Sequence, residues 1–448
     1  MTKFETFCDE VFKQAKEKGF VDYELFYASE NGFSVRVFKG EIAEYKNSNT
    51  EGVGFRGTFN GKIGYASSEK LDVSVIPALL QNAMGVAEII EDPDVEKLYP
   101  GDDKYPEVNC YNEALNSVEA AEKIEMAFNI EKHALSLDPR VKMADHCTVL
   151  TNETESAIAN SYGLNVSQKR NMAAAYMLAR VEENGESKSG IEIWRGRDFK
   201  DFDYKKVAGK AVEIALSNLG ASSIPTGDYQ IVFDNNKTTD MLGVFSSIFM
   251  AEQGQKGFSL LNKERLGEVI AKENITIRDD GVTDLCLNSR AFDAEGVATK
   301  NKAVIEKGVL KTLLYNTKAA AKDGVKSTGN ASKAGFGGAI TTSITNFYLE
   351  PGTTSHEDMI KGIEKGVLIT DLAGLHSGVN PVSGDFSVSA DGFLIEGGKV
   401  IRPVDQITVA GNFFEMLKNV EIVASDLKFN DSIGAPSILV NGLKVAGL

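Results

Sequence analysis

Apolar positions along the chain follow two rhythms. Phe4, Cys8, Val11, Phe12 and Ala15 recur every three to four residues and predict a first helix with Cys8 on its buried stripe. Alternating and short apolar stretches then predict strands over 23–28, 33–38, 52–58 and 62–66. Asn60-Gly61 separates the last two as a two-residue hairpin turn, since both turn positions require positive φ. A second helix carries Ile76, Leu79, Leu80, Ala83, Val86, Ala87 and Ile90 on one face, and Pro77 is tolerated in its first turn.

This order recurs. A helix is predicted over 117–135, strands over 142–151, 156–160, 165–168 and 173–181, a turn at Asn184-Gly185, and a helix over 204–219 presenting Val207, Ala211, Ile214, Ala215 and Leu219. The pattern reads as an α+β N-terminal domain over 1–222. Its two similar helix–antiparallel-sheet–helix halves, about 1–95 and 116–222, are joined by an irregular proline-containing segment over 92–116. The small, polar run Gly-Ala-Ser-Ser-Ile-Pro-Thr-Gly (220–227) marks the boundary. Beyond it, over 223–448, a strand at 229–233 and a helix bearing Met241, Leu242, Phe245, Ile248 and Phe249 lead into a β-rich domain. Its strands fall within 305–316, 344–352, 384–404 and 436–445, and a helix over 357–366 starts from Ser355 with Asp358 three positions on.

Charge narrows the function. Among 448 residues, 48 Lys and Arg stand against 64 Asp and Glu, a formal charge of −16. With no basic block in that background, direct nucleic-acid binding is excluded, because it needs a cationic stripe to displace counterions. No stretch approaches the roughly 20 apolar residues of a membrane span, and the first residues lack the apolar core of a signal peptide. Cys8, Cys110, Cys147 and Cys286 are widely spaced, as expected of reduced thiols in a cytoplasmic protein.

Familiar catalytic spellings fail on context. Gly52-Val-Gly54-Phe-Arg-Gly57 matches the dinucleotide fingerprint, yet it runs into a hairpin instead of opening a helix. Gly57 to Lys62 is one residue short of a phosphate loop, with Ile63 where a hydroxyl is required. The four histidines, His133, His146, His356 and His376, form no metal-binding spacing; His356-Glu357 is followed by Ile360, not by a second histidine. One stretch stands out: His376-Ser-Gly378-Val-Asn380-Pro381-Val-Ser383-Gly384-Asp385-Phe386. It reads either as a tight turn entering a strand or as a loop shaped for close approach of a ligand or backbone.

Residues 377–420 (SGVNPVSGDFSVSADGFLIEGGKVIRPVDQITVAGNFFEMLKNV) and 434–447 (GAPSILVNGLKVAG), with 292–324 and Ser-Thr-Gly-Asn-Ala-Ser (327–332), resemble the TldD/PmbA family, also called modulator of DNA gyrase proteins, in its PmbA (TldE) branch. The resemblance implies a bacterial or archaeal scaffold whose TldD branch is a zinc metallopeptidase, with an H-E-x-x-x-H helix and a late cysteine as ligand. This sequence departs at those places: Gly243, Val244 and Ile248 occupy the histidine and glutamate positions, and the last cysteine is Cys286. Shifting the register by one or two residues recovers no ligand pair.

What the resemblance implies is a subunit without catalytic residues, metal or cofactor. Such a subunit forms a homodimer in isolation, pairs with a TldD-type metallopeptidase subunit, and handles unfolded peptides. Gly378, Asn380, Pro381, Ser383, Gly384 and Asp385 would form a peptide-groove or interface loop. Two alternatives remain: a peptide-binding or regulatory module with no proteolytic role, and an enzyme of another kind built on Ser383 and Asp385, for which no base is evident.

Overall fold

The structure, a computed structural model, describes residues 3–90 and 97–448. Six long antiparallel strands form the N-terminal sheet: β1 (Tyr23–Phe38), β2 (Glu41–Phe59), β3 (Lys62–Ser68), β4 (Val141–Asn160), β5 (Asn165–Glu183) and β6 (Glu186–Gly196), in the order β3-β2-β1-β4-β5-β6. The two predicted halves are therefore halves of one sheet. They are joined where β1 pairs with β4, from Glu24 opposite Asn160 to Val37 opposite Cys147. Both predicted Asn-Gly turns form hairpins with positive φ, at Asn60 (49°) and Gly61 (79°) and at Asn184 (51°) and Gly185 (85°).

One face of the sheet carries helices. Helices α1 (Lys3–Glu17) and α2 (Ile76–Ile89) bury Phe7, Val11 and Leu80 against Leu25 and Phe55. A short α3 (Glu113–Asn116) precedes α4 (Ala120–Leu137), which with α5 (Tyr204–Ser217) buries Ile130 and Ala211 against Val149 and Ala175. Cys8 lies in the first of these cores, and burial pushes its thiol up to about 12. The strand interruptions expected near 29–32, 152–155 and 169–172 do not exist. Those polar residues lie in the middle of β1, β4 and β5, which hydrogen-bond straight through them. The backbone ladder needs no apolar side chain, so a polar waist between two separate cores imitates a loop in the sequence. Residues 97–112 are irregular as expected, whereas 92–96 lie outside the described residues.

The C-terminal part has two larger sheets and a two-stranded hairpin. The first contains β7 (Gly227–Asp228), β8 (Gln230–Phe233), β15 (Lys365–Ala373), β16 (Asp385–Glu396), β17 (Lys399–Asn412), β18 (Val420–Val423), β21 (Ile438–Val440) and β22 (Lys444–Ala446), in the order β18-β21-β8-β15-β16-β17-β22-β7. The second contains β9 (Ile277–Asp280), β10 (Asn301–Glu306), β11 (Val309–Leu310), β14 (Phe347–Leu349), β19 (Lys428–Asn430) and β20 (Ile433–Ala435), in the order β11-β10-β9-β14-β20-β19. Strands β12 (Ala331–Lys333) and β13 (Ile340–Thr342) make the hairpin. Strand β8 pairs in parallel with β15 and antiparallel with β21, and Ile231, Val232 and Phe233 are all fully buried. An unbroken apolar run is what a strand covered on both faces requires. Ile231 and Phe233 enter the main core with α6 (Asn235–Phe245), while Val232 faces Met359 and Ile360 of a later helix, α9 (His356–Lys361). That helix is shorter than the predicted 357–366, because β15 begins at Lys365.

The remaining face of the N-terminal sheet seats the C-terminal part. Phe26, Ile158 and Leu164 pack on Phe292. Around them, the Arg56 Nε donates to Glu24 (2.8 Å) and its Nη1 lies 3.8 Å from Glu295, all three side chains being almost fully buried. The turn of the β12–β13 hairpin presses Phe336 onto β2: a Cβ at Gly54 would stand 2.1 Å from the Phe336 carbonyl oxygen, and one at Gly52 would lie 2.6 Å from the ring. Two of the three glycines that spell a nucleotide fingerprint, Gly52 and Gly54, are thus a docking floor, and the third, Gly57, packs on Phe20 within the N-terminal part.

Gly54→Val forces this backbone contact apart and is expected to destabilise the protein by about 1–3 kcal/mol, the usual cost of overpacking, as read from chemical denaturation; an unchanged midpoint would contradict the seating. Lys333, over the Phe26 ring at 4.8 Å, is drawn down to about 8, by burial first and then by Arg56, with Glu24 opposing. The unfolded chain therefore holds this proton more tightly than the folded one between pH 8 and the ordinary lysine range. The cost is fully present below pH 8 and is relieved as pH rises. Wild type should gain stability relative to Lys333→Met between pH 7.5 and 10, and parallel stability curves would contradict the assignment.

Candidate functional site

The loop at 377–386 folds around its own polar groups. Asn380 accepts from the Val382 and Ser383 N–H groups through Oδ1 (3.0 and 3.3 Å), and its carbonyl accepts from Gly384 N–H (2.9 Å). The Asn380 N–H donates to the Asp385 carbonyl (2.8 Å), and the Ser383 hydroxyl donates to the Asp385 carboxylate (2.8 Å). Asn412 closes the arrangement. Its amide donates to Asp385 (2.9 Å) and to the Ser383 carbonyl (2.9 Å), while its Oδ1 caps α10 (Phe413–Lys418) by accepting from Phe414 and Glu415. Gly384 has φ of 84°, and a Cβ there would meet the Phe414 ring at 2.8 Å. Gly378 lies earlier in the loop, donating to the Gly374 carbonyl and accepting from Ser387, and Pro381 is half-buried.

The six loop residues are therefore placed together, chiefly as a self-satisfied turn. Hydrogen bonds from Asn412 and then Ser383 hold the Asp385 carboxyl below its ordinary range, so it is a poor base for Ser383. The turn does have an outward side. Ser383, Asn412 and Phe414 line a cavity of about 390 Å³ opposite Leu260, Arg265 and Ile270.

Gly243, Val244 and Ile248 lie on and just beyond α6. Asp234 caps this helix by accepting from Lys237 N–H (2.7 Å), and burial lifts its carboxyl to about 6. Gly243 faces β20, where a Cβ would approach Ile433 at 3.1 Å; Val244 packs against the main core, and Ile248 is fully buried within it. Zinc requires converging nitrogen, sulfur or carboxylate donors. This wall of α6 offers glycine and hydrocarbon, and among the described residues no group of three His, Cys, Asp or Glu side chains is placed to hold a metal ion. These residues do not fit zinc.

The other candidate nucleophiles and bases are occupied elsewhere. All four cysteines are buried and free, and the Cys286 thiol, pushed up to about 12 by burial, hydrogen-bonds Asn346. His146 stands at a bulge with φ of 51° and points away from buried Cys147. His133 is half-buried against the Tyr204 ring, and His376 is exposed. His356, Ser437 and Asp426 do converge, with their chemistry wired differently from a catalytic triad. The single Ser437 hydroxyl proton goes to Asp426 (2.7 Å), so His356 Nδ1 at 3.1 Å meets the oxygen as a donor, and Ser437 is 1% exposed.

Sequence reading passed over the basic pair Arg195 and Arg197 around Gly196; two guanidinium groups within three residues of a chain of charge −16 were the available signal. It also missed the buried trio Glu24, Arg56 and Glu295, whose members lie on separate segments with no shared motif.

Asn412→Ala removes the α10 cap and the ties to Ser383 and Asp385 together. It should cost about 1–2 kcal/mol in chemical denaturation, the upper part of the range for a lost cap. A cost near zero would show that the loop does not depend on this side chain.

Comparison with known proteins places the whole scaffold. Residues 23–87, 113–219 and 226–447 match, in turn, the PmbA/TldA metallopeptidase domain 1, central domain and C-terminal domain; the first two fall on the two halves of the N-terminal sheet. Metalloprotease PmbA of Escherichia coli O157:H7 is 28% identical over 433 residues, covering 95% of this chain and 92% of that protein. A Thermotoga maritima structure described as a modulator of a DNA gyrase is 30% identical, with a TM-score of 0.91 over 99% of this chain and 100% of the other. TldE from Thermococcus kodakarensis, at 24% identity, shares the fold with a TM-score of 0.88 over the full length of both chains. On these matches, which span the chain from its first strand to its last, the protein belongs to the PmbA/TldD metallopeptidase family.

Proposed function

We propose that this chain is a PmbA/TldE-type subunit of a cytoplasmic zinc metallopeptidase system that degrades or processes unfolded peptides, and that it is itself catalytically silent. The observation that carries the reading is the α6 wall. Gly243 against Ile433, a packed Val244 and a buried Ile248 leave no donor for zinc, and hence no way to generate a metal-bound nucleophile. In this reading the chain forms a homodimer when alone and pairs with a TldD-type subunit that brings the zinc site. Its share of the work is to shape the space in which an extended peptide is held. The cavity bounded by Ser383, Asn412 and Phe414 on one side and Leu260 and Ile270 on the other supports that role, since it offers apolar surface with a few polar groups. The same cavity also suits a peptide-binding or regulatory module that has no proteolytic partner.

Cleavage of an unfolded polypeptide separates the two. The chain alone should show no chelator-sensitive cleavage, and mixing it with a TldD-type subunit should raise that subunit's activity. Cleavage by the purified chain would overturn the silent reading, and an indifferent mixture would favour the regulatory module.

A further inference from the structure

A second cavity, of about 420 Å³, opens between the two parts of the molecule. One wall is the end of β6, an outer strand of the N-terminal sheet; the other is β19, an outer strand of the C-terminal sheet, with the segment that follows Asp284. Arg195, Arg197 and Lys428 line it together with Asp284, Phe429 and Asp431.

Its arginines are not neutralised in place. Arg195 spends Nη1 on the Asn430 amide oxygen (2.6 Å), and Arg197 spends Nη2 on the Cys286 carbonyl (3.1 Å). Both acceptors are uncharged, and among the described residues neither guanidinium joins an ion pair. The Nε of Arg197 is buried without a hydrogen-bond partner. Arg170, behind this wall, likewise donates to a neutral acceptor, Asn288 (3.3 Å). Burial first, then Arg290 and Arg197, draw its guanidinium down to about 10, with Cys110 and Asp431 opposing. Lys428 is already paired with Glu192 (3.7 Å), so the two arginines are the cations that a chain of charge −16 leaves beside this cavity for an anion.

The acids beside them narrow the choice. A phosphate would bring up to two negative charges toward Asp284 and Asp431. A peptide end brings one, followed directly by amide N–H groups that those carboxylates can accept, and by side chains that can rest on Phe429. We propose that this cavity binds the free C-terminal carboxylate of a peptide, held by Arg195 and Arg197. The inference rests on the peptide-handling part of the reading above. Its test needs neither cleavage nor a partner subunit, so the two can fail separately.

The test is isothermal titration of the full-length protein, at low salt, with N-acetyl-trialanine as the free acid and as its C-terminal amide, and with inorganic phosphate. The acid should bind at least about tenfold more tightly than the amide, as loss of a charge-assisted hydrogen-bond pair implies. Arg197→Gln and Arg195→Gln should each reduce the acid to the level of the amide. Trp194, the only tryptophan and packed on Phe199 and Phe202, reports by its emission whether each variant is folded. Acid and amide behaving alike in the wild type, whether both bind or neither does, would overturn the proposal. So would a folded Arg197→Gln that keeps the preference, and so would phosphate binding as tightly as the acid, which would make this a general anion site.

Discussion

Arg56 is the charge on which the two parts of the molecule close. Its guanidinium is 5% exposed and answers to Glu24 from its own sheet and to Glu295 from the C-terminal part. Taking such a group out of water costs several kcal/mol unless opposite charge and hydrogen bonds meet it; here two carboxylates supply the charge and Glu24 the hydrogen bond, while Nη2 is buried without a hydrogen-bond partner. Glu295 in turn accepts from the Thr317 backbone N–H (2.8 Å) and hydroxyl (2.5 Å), which ties the contact to the start of α8 (Thr317–Asp323). Phe336 on Gly52 and Gly54, and Phe292 on Phe26, supply the apolar contact around this centre.

With that seam fixed, the rest of the geometry follows. The helices are confined to one face of the N-terminal sheet because the other face is committed to the C-terminal part. In the C-terminal core, α6 must press against β20 to bury Met241, Leu242 and Phe245. At Gly243 a Cβ would stand 3.1 Å from the Ile433 side chain, so helix and strand meet there closely and through hydrocarbon. The core at Gly243, Val244 and Ile248 is thus built from glycine and hydrocarbon, which is the ground of the silent-subunit proposal. The cavities beside Asn412 and beside Arg195 lie away from these residues.

How much of this was legible in the sequence depends on the range of the interaction. Local signals read true: the Asn-Gly hairpins, the Ser355 cap and the helical stripes of α1, α2 and α5 all depend on residues a few positions apart. Strand length did not, because polar residues such as Glu30, Asn31 and Glu153 sit in a ladder whose bonds are made by backbone alone. The 377–386 loop was visible as unusual, but its letters could not say whether Asn380, Ser383 and Asp385 turn outward or toward one another. Their partner, Asn412, is 27 residues beyond Asp385, and only folding brings it there. The Arg56 trio and the arginine-lined cavity join segments from about thirty to more than two hundred residues apart, and no spacing rule reaches that far. The absence of donors at Gly243, Val244 and Ile248 was legible only through resemblance, since hydrophobic residues on a helix otherwise say core and nothing more.

The central claim is that this scaffold carries the family's architecture without the family's metal. The most direct measurement is the zinc content of the purified, full-length chain after equilibration with excess zinc and removal of unbound ion. The account predicts far less than one zinc per chain and a thermal midpoint unmoved by zinc. One tightly held zinc per chain, with a raised midpoint, would contradict it.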